Sequence, residues 1–598
     1  MHASPAQSAS LVQAVPTALA PAGPVRHSPD LLSQVKPAAQ SRLSRQVPGA
    51  HADWVALADR FYDASMDTST GAPAIPIVWG TDAVHGHNNV IGATLFPHNI
   101  GLGATRDAKL IQRIGEITAI EVAVTGIDWT FAPTVAVVRD DRWGRTYEGY
   151  SEDPEIVRTF AERMTLGLQG APGTPAFLDG NHVIATAKHF IGDGGTNLGV
   201  DRGDNLSTEQ QLRDIHGQGY FAALAAGAQT VMASYNSWRG WKLHGHEHLL
   251  TDVLKKQMGF DGPVVSDWDG VDEVQGCSKD HCAQALNAGI DMVMVPTEWK
   301  SFLERTIAQV KAGVISEERI DDAVTRILRL KYRAGLFEKG RPSARPLANR
   351  RELIGAPEHR AVARQAVRES LVLLKNKNGV LPLSRRSKVL VAGSGADNLG
   401  KQTGGWSITW QGTENTNADF PGSTSVLAGI RAAVGKSGGS VDYNITGEFS
   451  TKPDVAIVVF GEEPYAEYAG NVKSIDYVSP GDADLRLLRK LKAAGIPVVS
   501  VFFSGRPLWV NPELNASDAF VAAWLPGTEG GGIAEVIFKG ANGKVNHDFS
   551  GKLSFSWPKR VAQPNLNRND AGYDPLFPYG FGLTYRDKDQ LGDDLPME

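Results

Sequence analysis

Between residues 53 and 337 one pattern recurs: a short apolar run, then a longer amphipathic stretch. The short runs are "AIPIVWGTDA", "IDWTFAPTVAV", "HVIATAKHF", "AQTVMASYN", "GPVVSDW" and "GIDMVMV". Between them lie "RDAKLIQRIGEITAIEVAV", "DPEIVRTFAERMTLGL", "TEQQLRDIHGQGYFAALAAG" and "EHLLTDVLKKQMG". Short apolar runs read as buried strands, and the long stretches with a 3.6 period read as helices. Helices of that length suit the crossovers that parallel strands require. Sustained β-α alternation therefore predicts a TIM-like (β/α) barrel. "DWVALADRFYDASM" reads as an opening helix and "SEERIDDAVTRILRLKYRAGLF" as a closing one. Ser207 and Gln210 are spaced as a capping box for the helix that follows them.

The stretch 338–365 breaks the alternation with Pro, Gly and charge, and reads as a linker. A second α/β unit follows over 366–590, with strands at "KVLVAGSG", "VAIVVFGEE", "PVVSVFFSG" and "AFVAAWLPG". It reads as an open doubly wound sheet. Its "GSGADN" lacks the third glycine of a dinucleotide fingerprint, so the loop reads as structural. Two such units match a chain of 598 residues, too long for one hydrophobic core. Residues 1–52 are rich in Ala, Ser, Pro and Gln and read as a flexible leader. They lack the basic start of a signal peptide and have only a weak apolar segment.

The net charge of −6, with no Lys/Arg run, gives no footprint for nucleic acid. No run of 18 apolar residues signals a membrane helix. The two cysteines, Cys277 and Cys282 in "CSKDHC", are spaced for a small local disulfide but not for a framework. No metal or cofactor is implied.

In a parallel barrel the active site gathers at the C-terminal ends of the strands. Polar residues at those positions are Asp82, Arg145, Lys188, His189, Tyr235 and Asp267. Each alone has an ordinary explanation as a cap, ion pair or turn acid. Together they suit a ligand rich in hydroxyls. Glycoside hydrolysis needs two carboxyl groups. Asp267 is one candidate, and the loop "GEEPYAEYAG" of the second unit offers Glu462, Glu463 and Glu467.

From about residue 53 to about residue 585 the chain resembles glycoside hydrolase family 3, the β-glucosidases and exo-β-glucanases. The resemblance rests on "GTDAVHGHNNV", "FAPTVAVVRDDRWGRTYEGYSEDP", "AKHFIGDGGT", "SYNSWRGWKLHG", "VVSDWDG", "GGWSITWQG", "GEEPYAEYAG" and "FPYGFGLTY". It implies a barrel followed by an α/β sandwich, and exo-acting release of glucose from β-glucosides and β-glucan oligosaccharides with retention. Asp267 would be the nucleophile and Glu467 the general acid/base. Asp82, Arg145, Lys188, His189 and Tyr235 would hold the terminal glucose, with Asp204 a further contact. Trp268 and Trp410 would clamp the next sugar, with Trp406 nearby. The two carboxyls should lie about 5–5.5 Å apart in the productive complex. A periplasmic or secreted location is implied as well. The family's opening helix and first barrel strand have no counterpart here, which leaves that strand unaccounted for.

Three other readings compete. "HGH" at 85–87 and "HGHEH" at 244–248 have metal-ligand spacing, as in a metal-dependent amidohydrolase-type barrel. A sugar-binding protein without activity would not need both Asp267 and Glu467. The family's N-acetylhexosaminidases carry a histidine in the loop after "KH", where this chain has "IGDGGT".

Overall fold

The computed structural model describes residues 51–69, 71–435, 437–589 and 591–597. The first domain contains strands β1 (Gly80–Thr81), β2 (Trp129–Thr130), β3 (Thr186–Phe190), β4 (Asp204–Asn205), β5 (Thr230–Ala233), β6 (Ser237–Trp238), β7 (Trp241–Lys242) and β8 (Val264–Val265). β1 pairs in parallel with β2, and Trp129 bridges to Ile184 just ahead of β3. β3, β5 and β8 continue the parallel order, and Val265 bridges to Met292. Six successive runs thus stand side by side in chain order, as the alternation predicts. Ahead of β1, the described residues form the helix His51–Met66. The leader lies outside the described residues up to residue 50.

The inside of this curved sheet is filled rather than open. Trp129 Nε1 donates to Thr186 Oγ1 at 2.7 Å and to Thr230 Oγ1 at 3.1 Å, which ties three neighbouring strands together. Ile184, Met232, Val265 and Met292 form one apolar cluster with Ile327 and Leu330 of the helix Glu317–Arg333. That helix closes the domain as the sequence predicts. The capping box falls one residue later than expected: Thr208 Oγ1 accepts from Gln211 N, and Gln211 Oε1 accepts from Thr208 N. Ser207 is held outside the helix, because its carbonyl accepts from the side chains of Trp238 and Arg239.

The stretch 338–365 is more than a linker. Arg345 Nη1 donates to both Asp128 carboxylate oxygens, at 2.7 and 2.8 Å, Arg341 pairs with Asp63 on the opening helix, and the helix Pro357–Ser370 begins within it.

The second domain has strands β9 (Val372–Asn376), β10 (Lys388–Ala392), β11 (Ser440–Tyr443), β12 (Val455–Gly461), β13 (Val498–Phe503) and β14 (Ala519–Ala522). Their order is β11-β10-β12-β13-β14-β9, parallel except for β9. Ala456, Val458 and Phe460 face one apolar layer while Val455, Ile457 and Val459 face the other, so both faces of β12 are covered. The sequence reading missed β9 and β11. β9 follows a helix with no turn signal, and β11 is a largely exposed edge strand without an apolar run. One apolar cluster crosses the domain boundary: Ile100, Val138, Trp143 and Tyr147 pack with Phe460, Phe502 and Trp524. Burial of that kind fixes the mutual position of the two domains.

Candidate active site

Asp82 directly follows β1, Arg145 lies in the loop after β2, and Lys188 and His189 belong to β3. Tyr235 follows β5, and Asp267 follows β8. All six line one cavity of about 280 Å³ between the domains, together with Trp268, Trp406, Trp410 and Glu467. Phe131, Met232 and Met294 give it apolar lining.

Asp267 presents one free oxygen. Its Oδ1 accepts the Trp268 backbone N–H at 2.7 Å, and its own N–H donates to His244 Nε2 at 2.9 Å. Asp267 Oδ2 is buried without a hydrogen-bond partner among the described residues, and it lies 3.8 Å from His189 Nε2. Burial pushes the Asp267 carboxyl above its ordinary range, and Arg145, the Trp268 N–H, Lys188 and Arg202 pull it back down. The cations therefore offset much of the desolvation cost of the anion.

His189 has a defined tautomer. Arg145 Nη2 lies 3.2 Å from His189 Nε2 and can only donate, so the proton sits on Nδ1 and points at Asp193 Oδ2, 2.9 Å away. Burial, then the Arg145 and Lys188 charges, hold the imidazole well below its ordinary pKa and therefore neutral. Lys188 Nζ donates to Asp82 Oδ1 at 2.9 Å. Arg145 forks onto Glu148 at 2.9 and 2.8 Å, and Glu148 also accepts the Trp406 indole N–H at 3.0 Å.

Glu467 reaches the cavity from the loop after β12. Only 7% exposed, it has Oε2 at 3.0 Å from Arg202 Nη2 and Oε1 at 3.7 Å from Arg145 Nη1. Burial pushes its pKa up to about 7; Asp201 and Asp267 add to the rise, while Arg145 and Arg202 oppose it. The carboxyl is thus largely protonated below neutrality, and the neighbouring Asp267 carboxylate favours that form.

The Glu467 loop is clamped to the barrel. Tyr147 Oη donates to the Tyr465 carbonyl at 2.6 Å, and Gly144 N donates to Asn471 Oδ1 at 2.9 Å. Arg506, fully buried on the loop after β13, donates to the carbonyls of Asp141, Arg142 and Gly470 and to Tyr465 Oη. Gly144 has no room for a side chain, because a Cβ there would collide with the Glu467 carbonyl oxygen. Gly144→Ala is therefore expected to displace the acid loop and lower kcat about 10²-fold, the cost of a shift near 1 Å. Steady-state kinetics on an aryl β-glucoside, with thermal unfolding to confirm the fold, measures this.

The outer rim is aromatic and charged. Trp268 from the barrel and Trp410 from the second domain both line it, and Trp410 lies 5.7 Å from Tyr468, ring to ring. Cys277 and Cys282 form a disulfide, and the loop they close brings Lys279 Nζ to 2.9 Å from Asp269 Oδ2.

Asp204 is not among the cavity residues. Its Oδ1 accepts from Gly240 N at 2.8 Å, which ties β4 to the β6–β7 hairpin. Arg202, two positions earlier, is the residue of that loop that reaches the cavity, and the sequence reading missed it. Asp269, from the loop after β8, and Lys279, from the disulfide loop, also line the cavity without having been expected there, and Tyr468, noted in the sequence only as part of the Glu467 loop, joins them. The only signal for Arg202 was its place in "LGVDRGDN" after β3. The histidine pairs are occupied otherwise. His85 bonds to the carbonyls of Phe96 and Trp406, His87 to Thr125, and His244 supports Asp267. Among the described residues no three His, Cys, Asp or Glu side chains gather as a metal shell.

Comparison with known proteins places this geometry in context. The glycosyl hydrolase family 3 N-terminal domain matches residues 40–330, and the family's C-terminal domain matches residues 371–585. The fold is similar to the crystal structure of an exo-1,3/1,4-β-glucanase from a Pseudoalteromonas species, with 59% identity and a TM-score of 0.91, covering 92% of this chain and 68% of that one. In sequence, the chain is 34% identical over 554 residues to a lysosomal β-glucosidase of Dictyostelium discoideum, covering 86% of this chain and 65% of the relative. It is 31% identical over 577 residues to a periplasmic β-glucosidase of Salmonella typhimurium, covering 86% and 71%. The chain thus spans about two thirds of the length of these relatives.

Proposed function

Because the chain belongs to glycosyl hydrolase family 3, we propose that it is a retaining, exo-acting β-glucosidase that releases glucose from the non-reducing ends of β-glucosides and β-gluco-oligosaccharides. One observation carries the reading: an aspartate with a free oxygen and a glutamate raised to about 7 line the same cavity from two domains. Two carboxyl groups facing one cavity, one of them protonated up to about neutral pH, are what a retaining glycosidase uses.

In the first step Asp267 Oδ2 attacks the anomeric carbon. The glycosidic C–O bond breaks, its electron pair goes to the leaving oxygen, and Glu467 supplies the proton. In the second step the Glu467 carboxylate takes a proton from water, whose oxygen displaces Asp267. Asp82, Lys188, Arg145, His189 and Tyr235 hold the hydroxyls of the terminal sugar, and Trp268 and Trp410 clamp the next unit of the substrate, with Trp406 nearby. The small volume of the cavity and its apolar residues favour a chain end over a chain interior. The names of the relatives support the same substrate class. A location outside the cytoplasm is supported by the Cys277–Cys282 disulfide and by the periplasmic relative. No described helix is long and apolar enough to cross a membrane.

Incubation with 2-deoxy-2-fluoro-β-glucosyl fluoride is expected to inactivate the protein and to leave the label on Asp267, read by peptide mass spectrometry. Label on a different acid removes Asp267 from the role. A folded protein that takes no label removes the retaining mechanism.

A further inference from the structure

Glu467 is met from the barrel side by two guanidinium groups, and they are not equivalent. Arg145 is already committed: it forks onto Glu148 and touches His189, and it comes no closer than 3.7 Å to Glu467. Arg202 has a different set of neighbours. Its Nη2 donates to Glu467 Oε2 at 3.0 Å, and Glu467 is its carboxylate partner among the ion pairs of the described residues. Its guanidinium carbon lies 4.0 Å from the Tyr235 ring centroid and 5.5 Å from that of Tyr468, so one tyrosine from each domain flanks the charge. Its backbone is anchored too. The Arg202 carbonyl accepts from Lys242 Nζ at 3.1 Å, and the same ammonium reaches the Tyr235 carbonyl and Glu273.

Resting on the glycosidase reading, we infer that Arg202 is a further member of the acid/base machinery: it binds Glu467 Oε2, leaves Oε1 to carry the transferred proton, and stabilises the carboxylate formed when that proton leaves. The charge balance explains why such a residue is useful. As the glycosidic bond breaks, Glu467 passes a proton to the leaving oxygen and becomes an anion. It stays an anion until water returns a proton in the second step. Arg145, Asp201, Asp267, Tyr147, Tyr235 and Tyr468 are the other charged or titratable groups around it among the described residues. Two of these are acids, and the Arg145 charge is largely balanced by Glu148. Arg202 therefore supplies the cation that is available to the new carboxylate. The geometry also fixes which oxygen is free, because a fork nitrogen on Oε2 sets the rotation of the carboxyl.

The test uses the full chain and two variants, Arg202→Gln and Arg202→Lys, on aryl β-glucosides of graded leaving-group acidity. Loss of a nearby cation raises a carboxyl pKa, so the basic limb of kcat/KM in Arg202→Gln is expected to move up by about one pH unit. The loss of kcat/KM should be about 10-fold larger for poor leaving groups than for dinitrophenolate, because only the former need the proton. Arg202→Lys is expected to bring the limb back toward the wild-type position. A folded Arg202→Gln with an unmoved limb and an unchanged leaving-group dependence overturns the inference. So does an Arg202→Lys variant that matches Arg202→Gln in both readouts. A parallel Glu467→Ala variant separates the two levels: if it keeps the wild-type basic limb, the glycosidase assignment of Glu467 falls; if it loses the limb while Arg202→Gln does not move it, only the role of Arg202 falls.

Discussion

Asp267→Ala is expected to lower kcat on aryl β-glucosides about 10⁵-fold, the scale of removing a covalent nucleophile. The physical reason lies in what surrounds the side chain. Asp267 Oδ2 has no hydrogen-bond partner among the described residues, while Oδ1 is tied to the Trp268 N–H and the backbone is tied to His244. The free oxygen is thus held at a set orientation and kept available for carbon. Removing it leaves a small gap in a cavity whose other walls stay in place, so the variant should fold. That gap allows a positive check. Azide can enter it and attack from the same face, so added azide should restore turnover of an activated aryl glucoside and yield the α-glucosyl azide. NMR of the product reads the anomer. Wild-type turnover in this variant, or the β-azide from it, removes Asp267 as the nucleophile.

Glu467→Ala is expected to behave differently in each respect. With dinitrophenyl β-glucoside the bond-breaking step should change little, because that leaving group needs no proton. With alkyl glucosides or disaccharides kcat/KM should fall about 10³-fold, within the range for general acid catalysis. Azide should now attack the glucosyl-enzyme from the side where Glu467 stood and give the β-glucosyl azide. The pH dependence follows from the two carboxyls. Asp267 must be an anion to attack, and burial raises its pKa, so activity falls on the acid side at a pH above the ordinary aspartate range. Glu467 must be protonated to donate, and its pKa is raised to about 7, so kcat/KM of the wild-type protein should decline as pH rises through about 7. In Glu467→Ala that basic limb should vanish while the acid limb remains. A basic limb that survives the substitution assigns the proton to another group.

Much of this was legible in the residues. The continuous apolar run of β12 and the β-α rhythm of the barrel are local patterns, and they survive being read one stretch at a time. The same holds for Asp82, Tyr235 and Asp267 just past their strands and for Lys188 and His189 near the end of β3, since each needs only its strand to be found. The errors have local causes too. Ser207 and Thr208 both offer a capping hydroxyl at the right spacing, and the Trp238 and Arg239 contacts decide between them. Asp204 and Arg202 lie two residues apart in an irregular loop. Periodicity gives no direction for a side chain there, so the acid was chosen where the arginine reaches the cavity. Edge strand β11 has no apolar run because one side of it has nothing to cover.

The sequence by itself determined the two α/β units, their order, and the carboxylates, cations and indoles available at the strand ends, because local period and residue chemistry are written along the chain. Only the tertiary structure decided how those groups act. The docking of the domains over the cluster of Trp143, Tyr147, Phe460 and Phe502, with Arg506 as its clamp and Gly144 as its narrowest point, brings Glu467 beside Arg145 and Arg202. The proton affinity of Glu467 depends on exclusion of water and on charges hundreds of residues away, and the free oxygen of Asp267 and the tautomer of His189 depend on groups brought together from separate strands and loops. Those are properties of distance in space, and no pattern along the chain records them.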